Sequence, residues 1–473
     1  MDHQPAAPGR GGRPAPRRLA GHNAFVDIDA DDLRTCLEVL ARVDELPVEH
    51  PDAVAVRHAT ARIFKLVKER RRAERRAAVS AEDRAVLART ATAAEGRVDD
   101  ETSGVELATT VPGASAGTLI RARPCYQCKL RYTEVDAFYH QLCPACASMN
   151  RERREARTDL TGRRALLTGG RAKIGMYIAL RLLRDGAATT ITTRFPRDAA
   201  RRFSSMPDSG DWLDRLDIVG VDLRQPGQVV ALANAVAADG PLDILINNAA
   251  QTVRRSPDAY ALLVAGEAEP LLPEAPTVRE LGAAHELHPG TTLALTSRSA
   301  AIDAGGLIPD EVDHNSWTQR VEEIDPVEMV EVQLCNTTAP FILIGRLRAS
   351  LAASTARRTY IVNVSAMEGS FGRGYKGPGH PHTNMAKAAL NMLTRTSARE
   401  LLETDGILMT SIDTGWITDE RPHTTRLRLA DEGFHAPLDL ADGAARVYDP
   451  IVRGEAGEDL HGVFLKDYAP TSW

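Results

Sequence analysis

Four of the six cysteines stand in two tight pairs, Cys125-Tyr-Gln-Cys128 and Cys143-Pro-Ala-Cys146. Each turn lets two thiolates approach one ion, and four thiolates form the closed tetrahedral shell of a structural zinc site. Disulfides or a redox Cys-x-x-Cys are the alternatives, and His140 is a substitute ligand. A closed shell leaves no position for a substrate, so the metal would serve to fold a small module that lacks a core of its own. A second constellation is the glycine turn Gly169-Gly-Arg-Ala-Lys-Ile-Gly175, set between the apolar run 163–168 and the amphipathic run Ile174 to Leu183. Strand, glycine turn and helix N-terminus in that order present backbone N–H groups and a helix dipole to a pyrophosphate. Glycines also simply end strands, so the turn needs context.

The context is a run of further motifs: Leu242-Asp-Ile-Leu-Ile-Asn-Asn-Ala-Ala250, Asn336, Tyr360-Ile-Val-Asn-Val-Ser365, Lys387 and Thr414-Gly415. In this order they resemble the short-chain dehydrogenase/reductase family over roughly residues 160 to 470. The resemblance implies an NADP(H)-dependent oxidoreductase that moves hydride to or from a carbonyl, imine or alcohol in a small-molecule substrate. It assigns Gly169, Gly170, Ile174 and Gly175 to the cofactor's phosphate turn, Asp222 and Leu223 to the adenine edge, and Asn248 and Ala249 to the cofactor wall. Asp222 could equally cap the following helix. Lys173 stands where the family pattern usually carries glycine, and suits an added phosphate. Thr192-Thr-Arg194 offers no carboxylate to a ribose 2′-hydroxyl, and Arg194 could pair with a 2′-phosphate, so NADP(H) is expected over NAD(H). Lys173, a long insertion and the run Asn336-Thr-Thr-Ala-Pro-Phe-Ile-Leu343 look most like the pteridine-reductase-like branch.

By the same resemblance Ser365 polarises the substrate carbonyl, Asn336 holds a water, and Lys387 holds the ribose while lowering the pKa of a phenol one helical turn before it. The phenol is missing: Thr383-Asn-Met-Ala-Lys387 replaces Tyr-x-x-x-Lys. An aliphatic hydroxyl is far too weak an acid to serve as a general acid near neutral pH. Thr383 remains a candidate for orienting a substrate oxygen or relaying a proton through water. Tyr375, in the glycine-rich stretch 369–379, is either a substitute phenol or an ordinary loop aromatic. His380, His382 and His423 are further proton sources, or exposed loop histidines. Thr414-Gly-Trp-Ile-Thr418 resembles the family's Pro-Gly turn, with Thr418 one place early, so Gly415 is the better match to the cofactor turn. The competing function is a catalytically impaired NADP(H)-binding regulatory or scaffold protein that docks a partner through its helical and zinc region.

The elements that must position these residues alternate. Strands are predicted at 163–168, 188–194, 216–222, 242–248, 359–365, 407–413 and 462–467, with helical segments between them. That alternation means an α/β fold, a doubly wound, mainly parallel Rossmann-type sheet, its apolar strands covered on both faces. The cofactor then lies across the carboxyl ends of the strands at the switch point. An insertion at 253–335 is expected either to carry substrate selectivity as a lid, or to cover a sheet edge or oligomer surface. Cys36 and Cys335 read as buried core thiols. Helices starting near Asp325 and Thr383 correspond to those of the family's four-helix interface, which implies a homo-oligomer.

The whole chain has 473 residues and net charge −6, enough for more than one domain and too mild to point to nucleic acid or membrane. Residues 1–20 read as a disordered tail, 21–94 as a helical region, 95–118 as a linker, 119–150 as the four-cysteine module, and 151–473 as the reductase-like domain. Leu33, Leu37, Leu40 and Val43 recur at helical spacing behind Asp29, and a second helix is predicted from about Asp52 through Arg76. Its basic end, like Arg151 to Arg157, could meet a phosphate backbone, but in an acidic chain a solvated face or a protein-docking surface is expected instead. No apolar run approaches the roughly 20 residues needed to span a bilayer. The first twenty residues lack the apolar centre of a secretory signal, and the cysteine pattern is that of a cytosolic metal site, so a cytoplasmic protein is expected.

Overall fold

The computed structural model describes residues 28–97, 99, 104–281, 302–303, 305–310, 312–374, 376–418 and 420–473. The chain divides into two compact units, Met1–Ala78 and Val79–Trp473. The first contains α1 (Ala30–Asp44) and most of α2 (Pro51–Leu87). The Asp29 carboxylate starts α1 by accepting the N–H groups of Asp31 and Asp32 at 2.8 and 3.3 Å. Nothing in 77–87 breaks a helix, so α2 runs past the predicted end at Arg76. Leu33, Leu37 and Leu40 all lie exposed on α1, which has no buried residue. Cys36 is exposed too, contrary to its reading as a core thiol, because no other described element covers it within its unit.

The second unit opens with the last turns of α2, whose Asp83 carboxylate accepts the N–H groups of Ile120 and Arg121. Strand β1 (Ser115–Pro124) pairs antiparallel with β2 (Arg131–Asp136), and α3 (Pro144–Glu155) follows. The strand therefore begins inside the segment read as a linker. That segment is also anchored: the Val105 carbonyl accepts the Tyr177 hydroxyl at 2.9 Å, and Glu106 pairs with Arg154 at 3.2 Å. The basic run at the end of α3 is spent on ion pairs inside this unit, Arg151 with Asp136, Arg153 with Asp449 and Arg154 with Asp439.

The α/β part runs β3 (Arg164–Leu167), α4 (Lys173–Arg184), β4 (Ala188–Thr193), α5 (Pro196–Ser204), β5 (Leu216–Gly220), α6 (Pro226–Ala238) and β6 (Ile244–Asn247). It continues with α7 (Ala261–Glu267), β7 (Thr277–Glu280), α8 (Pro326–Gln333), α9 (Ala339–Ala352), β8 (Thr359–Ser365), α10 (Pro381–Asp405), β9 (Ile407–Asp413), α11 (His423–Asp431), α12 (Leu440–Glu455), β10 (Phe464–Lys466) and β11 (Ala469–Thr471). Strands β3 to β11 form one nine-stranded sheet in the order β11-β10-β9-β8-β6-β3-β4-β5-β7, separate from the β1–β2 pair. Every pairing is parallel except β10 with β11. This is the doubly wound Rossmann-type sheet. Its order reverses between β3 and β6, which opens a crevice at the carboxyl ends. One core joins the sheet to α4, α5 and α12, and Tyr139, Leu142 and Ala147 of the cysteine module belong to that same core. The other joins the sheet to α6, α9 and α10. The insertion supplies β7, which extends the sheet edge beside β5.

Candidate functional site

The crevice is a cleft of about 430 Å³ lined by the turn after β3, the ends of β4 and β5, the loop after β6 and part of the insertion. Gly169 has φ +71°, and a Cβ on it would stand 2.9 Å from the Ala249 Cα. A Cβ on Gly170 would meet Ile191 at 2.6 Å, and one on Gly175 would overlap the Gly169 carbonyl oxygen. These glycines let the turn close tightly against β4 and β6 and leave the start of α4 open to the cleft. Lys173 itself adopts φ +52° at that helix start. A left-handed backbone costs a non-glycine residue roughly 1 kcal/mol, which is the physical reason glycine fits this position. Its ammonium lies 4.0 Å from Glu420, which also faces Arg255 across the cleft at 4.0 Å.

Asn248 and Ala249 line the cleft, yet they also lock it: both backbone N–H groups donate to the Thr168 hydroxyl, and the Asn248 amide donates to the carbonyls of Thr168 and Gly169. Ile174 and Leu223 add apolar wall. Asp222 does not cap α6, whose N-cap is Gln225. Its carboxylate accepts the backbone N–H and guanidinium of Arg224. Burial alone would raise this carboxyl, but Arg224 and the nearby charge of Arg194 hold it below the usual carboxylate range. Arg194 lies with its guanidinium 4.6 Å from the ring centroid of Tyr260 and 5.6 Å from that of Phe195. Tyr260 comes from the insertion, and with Gly305 and Leu307 it brings the insertion onto the Arg194 end of the cleft. Sequence reading missed both Arg224 and Tyr260. The first had a signal in its spacing from Asp222; the second had none, because its approach depends on how the insertion folds.

Asn336 follows the cleft-lining Cys335 but is not itself on the cleft wall, nor are Ser365, Thr383 and Lys387; Asn336 sits in a π-helical turn, Leu334–Thr338. Such turns recur at functional sites because they displace backbone groups from the regular ladder. The Asn336 side chain is already engaged, accepting the Gln251 N–H at 2.7 Å and donating to the Gln251 carbonyl at 2.9 Å. One donor and one acceptor position of its amide are thereby taken by Gln251. Ser365 ends β8, Thr383 lies in the first turn of α10, and both hydroxyls are buried without a hydrogen-bond partner among the described residues. One turn after Thr383, the buried Lys387 ammonium donates to the Val364 carbonyl at 2.8 Å. Burial pushes this lysine down to about 8, with Cys335 and Glu368 opposing the shift. His382 is not a solvent-exposed loop residue: it is buried, and burial lowers its pKa. His380 starts α10 with its ring stacked on Trp317, centroids 4.0 Å apart. Tyr375 lies outside the described residues. Thr418 reaches the cleft, whereas Gly415 faces Leu438 and Tyr126 beneath it, which reverses the ranking expected from sequence. Cys335 lines the cleft as well, so it is no simple core thiol.

Away from the cleft, the sulfurs of Cys125, Cys128, Cys143 and Cys146 lie within 4.8 Å of one another, with 3.7 Å between Cys128 and Cys143. Thiolates bonded to one zinc at about 2.3 Å stand about 3.8 Å apart, whereas a disulfide needs about 2.05 Å. The donor set and spacing fit a four-coordinate ion. His140 is elsewhere engaged, with Nδ1 2.8 Å from the Thr92 hydroxyl.

The short-chain dehydrogenase family pattern matches residues 163–261. An uncharacterised protein of Acanthamoeba polyphaga mimivirus is 32% identical over 349 residues, 70% of this chain and 71% of that protein. A short-chain type dehydrogenase/reductase of Picea abies is 36% identical over 104 residues, 21% of this chain and 38% of that protein. Among solved structures, a short-chain dehydrogenase of Burkholderia cenocepacia in complex with NADP is 20% identical, with a TM-score of 0.44 over 65% of this chain and 97% of that one. With the glycine turn, the ordered motifs and the doubly wound sheet in place, residues 163–261 carry the short-chain dehydrogenase pattern within a Rossmann-type fold.

Proposed function

We propose that this chain is an NADP(H)-dependent oxidoreductase that reduces a carbonyl or imine, or oxidises the corresponding alcohol, at a site where threonine replaces the usual phenol. The observation that carries the cofactor reading is Arg194, held against Tyr260 and Phe195 at the end of β4 with no acid of that strand beside it. Gly169, Gly170, Ile174 and Gly175 would hold the pyrophosphate, Lys173 and Arg194 the added phosphate, Leu223 the adenine, and Lys387 and Thr418 the nicotinamide half. Bound there, the cofactor supplies hydride.

When a carbonyl carbon accepts hydride, its oxygen requires one proton. Ser365 and Thr383 present two buried, unpartnered hydroxyls to bind that oxygen. Lys387, held at about 8, is poised near the operating pH and stands one helical turn from Thr383, whose hydroxyl relays the proton to the substrate. Resemblance to the pteridine-reductase-like branch puts pterins among the substrates to try. The four thiolates hold structural zinc, and the site is expected in the cytoplasm.

The test follows NADPH oxidation with a panel of carbonyl and pterin compounds. Wild type should turn over at least one; Lys387→Met should lose about a hundredfold or more in kcat and Thr383→Val about tenfold. Equal rates in all three would sink this assignment. A second reading rests on the exposed Leu33, Leu37 and Leu40 of α1 and Ile63 and Phe64 of α2, which suit a protein partner. NADPH binding without turnover of any compound would favour that reading, a cofactor-binding regulatory or scaffold protein.

A further inference from the structure

The turn that carries Thr418 into the cleft is supported from behind by the cysteine module. Tyr126 and Gln127 are the two residues between Cys125 and Cys128. The Tyr126 hydroxyl accepts the Trp416 N–H at 2.9 Å, and it lies 3.7 Å from where a Cβ on Gly415 would stand. Gly415 has φ +81°, and a Cβ on it would stand 2.6 Å from the Leu438 Cδ1, so the turn packs on Leu438 as only glycine permits. Gln127 reaches the next loop over, donating to the Asp467 carbonyl at 3.4 Å and accepting from Asn150 at 2.7 Å. Asn150 in turn accepts the buried Arg446 guanidinium at 2.7 Å, and Arg446 pairs with Asp467 at 3.3 Å. The strand end before the turn is tied into the same patch: Asp413 pairs with Lys466 at 3.1 Å, and the Lys466 ammonium sits 5.8 Å from the Tyr126 ring centroid.

A two-residue turn between ligands has little freedom of its own. Its backbone is held by the Tyr126 N–H on the Gln141 carbonyl at 2.8 Å and the Lys129 N–H on the Cys125 carbonyl at 3.2 Å, and no disulfide joins the flanking sulfurs. We propose that metal bound by the four cysteines fixes the Tyr126–Gln127 turn, and that this turn positions Gly415 to Thr418 against the dinucleotide, so that metal occupancy and cofactor affinity are coupled through Tyr126. Tyr126 is thus a positioning residue, not a catalytic one. The inference rests on the cofactor reading above. Coupling between two sites is reciprocal: whatever factor the metal adds to dinucleotide affinity, the dinucleotide adds to metal affinity.

Reciprocity gives a readout that a merely structural tyrosine would not move. In the full zinc-loaded chain, zinc affinity is measured by equilibrium competition with a colorimetric chelator, with and without saturating NADPH, and NADPH affinity is measured by titration. NADPH should tighten zinc binding to wild type about fivefold or more. Tyr126→Phe keeps all four thiolates and should retain one zinc per chain. It should bind NADPH about fivefold more weakly, and NADPH should no longer tighten its zinc binding. If wild type binds NADPH but holds zinc equally tightly with and without it, the coupling is overturned while the cofactor reading stands. Wild type that binds no dinucleotide at all overturns both.

Discussion

Lys387 is the residue at which stability and function oppose each other. Its ammonium is buried against a single backbone carbonyl and held at about 8, against 10.5 for a free lysine. Below pH 8 both the folded and unfolded chains bind the proton, so the full desolvation cost falls on the folded state. Between pH 8 and 10.5 the unfolded chain keeps the proton that the folded one has released, so stability rises with pH through that window. Lys387→Met should therefore be more stable than wild type at pH 7 by on the order of 3 kcal/mol, less the lost bond to Val364, and the advantage should shrink toward pH 10. Urea unfolding at the two pH values checks this; a gap that stays constant would mean the lysine is not held at a lowered pKa. A buried group that destabilises its own fold is a functional-site candidate, which supports the proposed role of Lys387. The sequence makes Lys387 and Thr383 visible as an i, i+4 pair. It gives no hint that Ser365 and Thr383 both lie buried without partners, since partners are decided by which strand ends meet which helix.

At the level of elements, the insertion is the clearest case of a role the chain order hides. It was open to two readings, substrate lid or edge cover, and its described part does something of the second: β7 extends the sheet beside β5. It also sends Tyr260 onto Arg194 at the cofactor end of the cleft. A cation held against an aromatic face loses less freedom on binding and is correctly placed before the ligand arrives. Tyr260→Ala should therefore weaken NADPH binding about tenfold and leave NADH binding nearly unchanged, as measured by titration with each, whereas Tyr260→Phe should keep the preference. An equal loss for both cofactors would show that Tyr260 shapes the cleft without serving the 2′-phosphate. Most strands of the sheet were legible because they are short apolar or β-branched runs bounded by turn residues. Strand β7, Thr-Val-Arg-Glu, has no such pattern and is a strand only because β5 offers it an open edge.

For the molecule as a whole, a second exposed apolar surface lies on three helices of the α/β part. Val327 and Val330 on α8, Phe341 on α9, and Met385 and Met392 on α10 are exposed apolar side chains on helices beside the site. They support the proposal of a homo-oligomer built on these helices. Phe341→Glu together with Met392→Glu should lower the mass seen by light scattering to that of one chain, 51.3 kDa, and a wild type already at that mass would refute the proposal. No described helix is long and apolar enough to cross a membrane. The sequence by itself determined the doubly wound fold class, seven of the nine strands of its sheet, the glycine turn and the two cysteine pairs, because each depends on residues close together in the chain or on motifs in a fixed order. Only the tertiary structure decided that the cysteine module shares the reductase core, that the supposed linker is anchored through Val105 and Glu106, and that Thr418 rather than Gly415 faces the cleft. Those contacts join residues far apart in sequence, where burial and backbone approach, not local pattern, choose the partner.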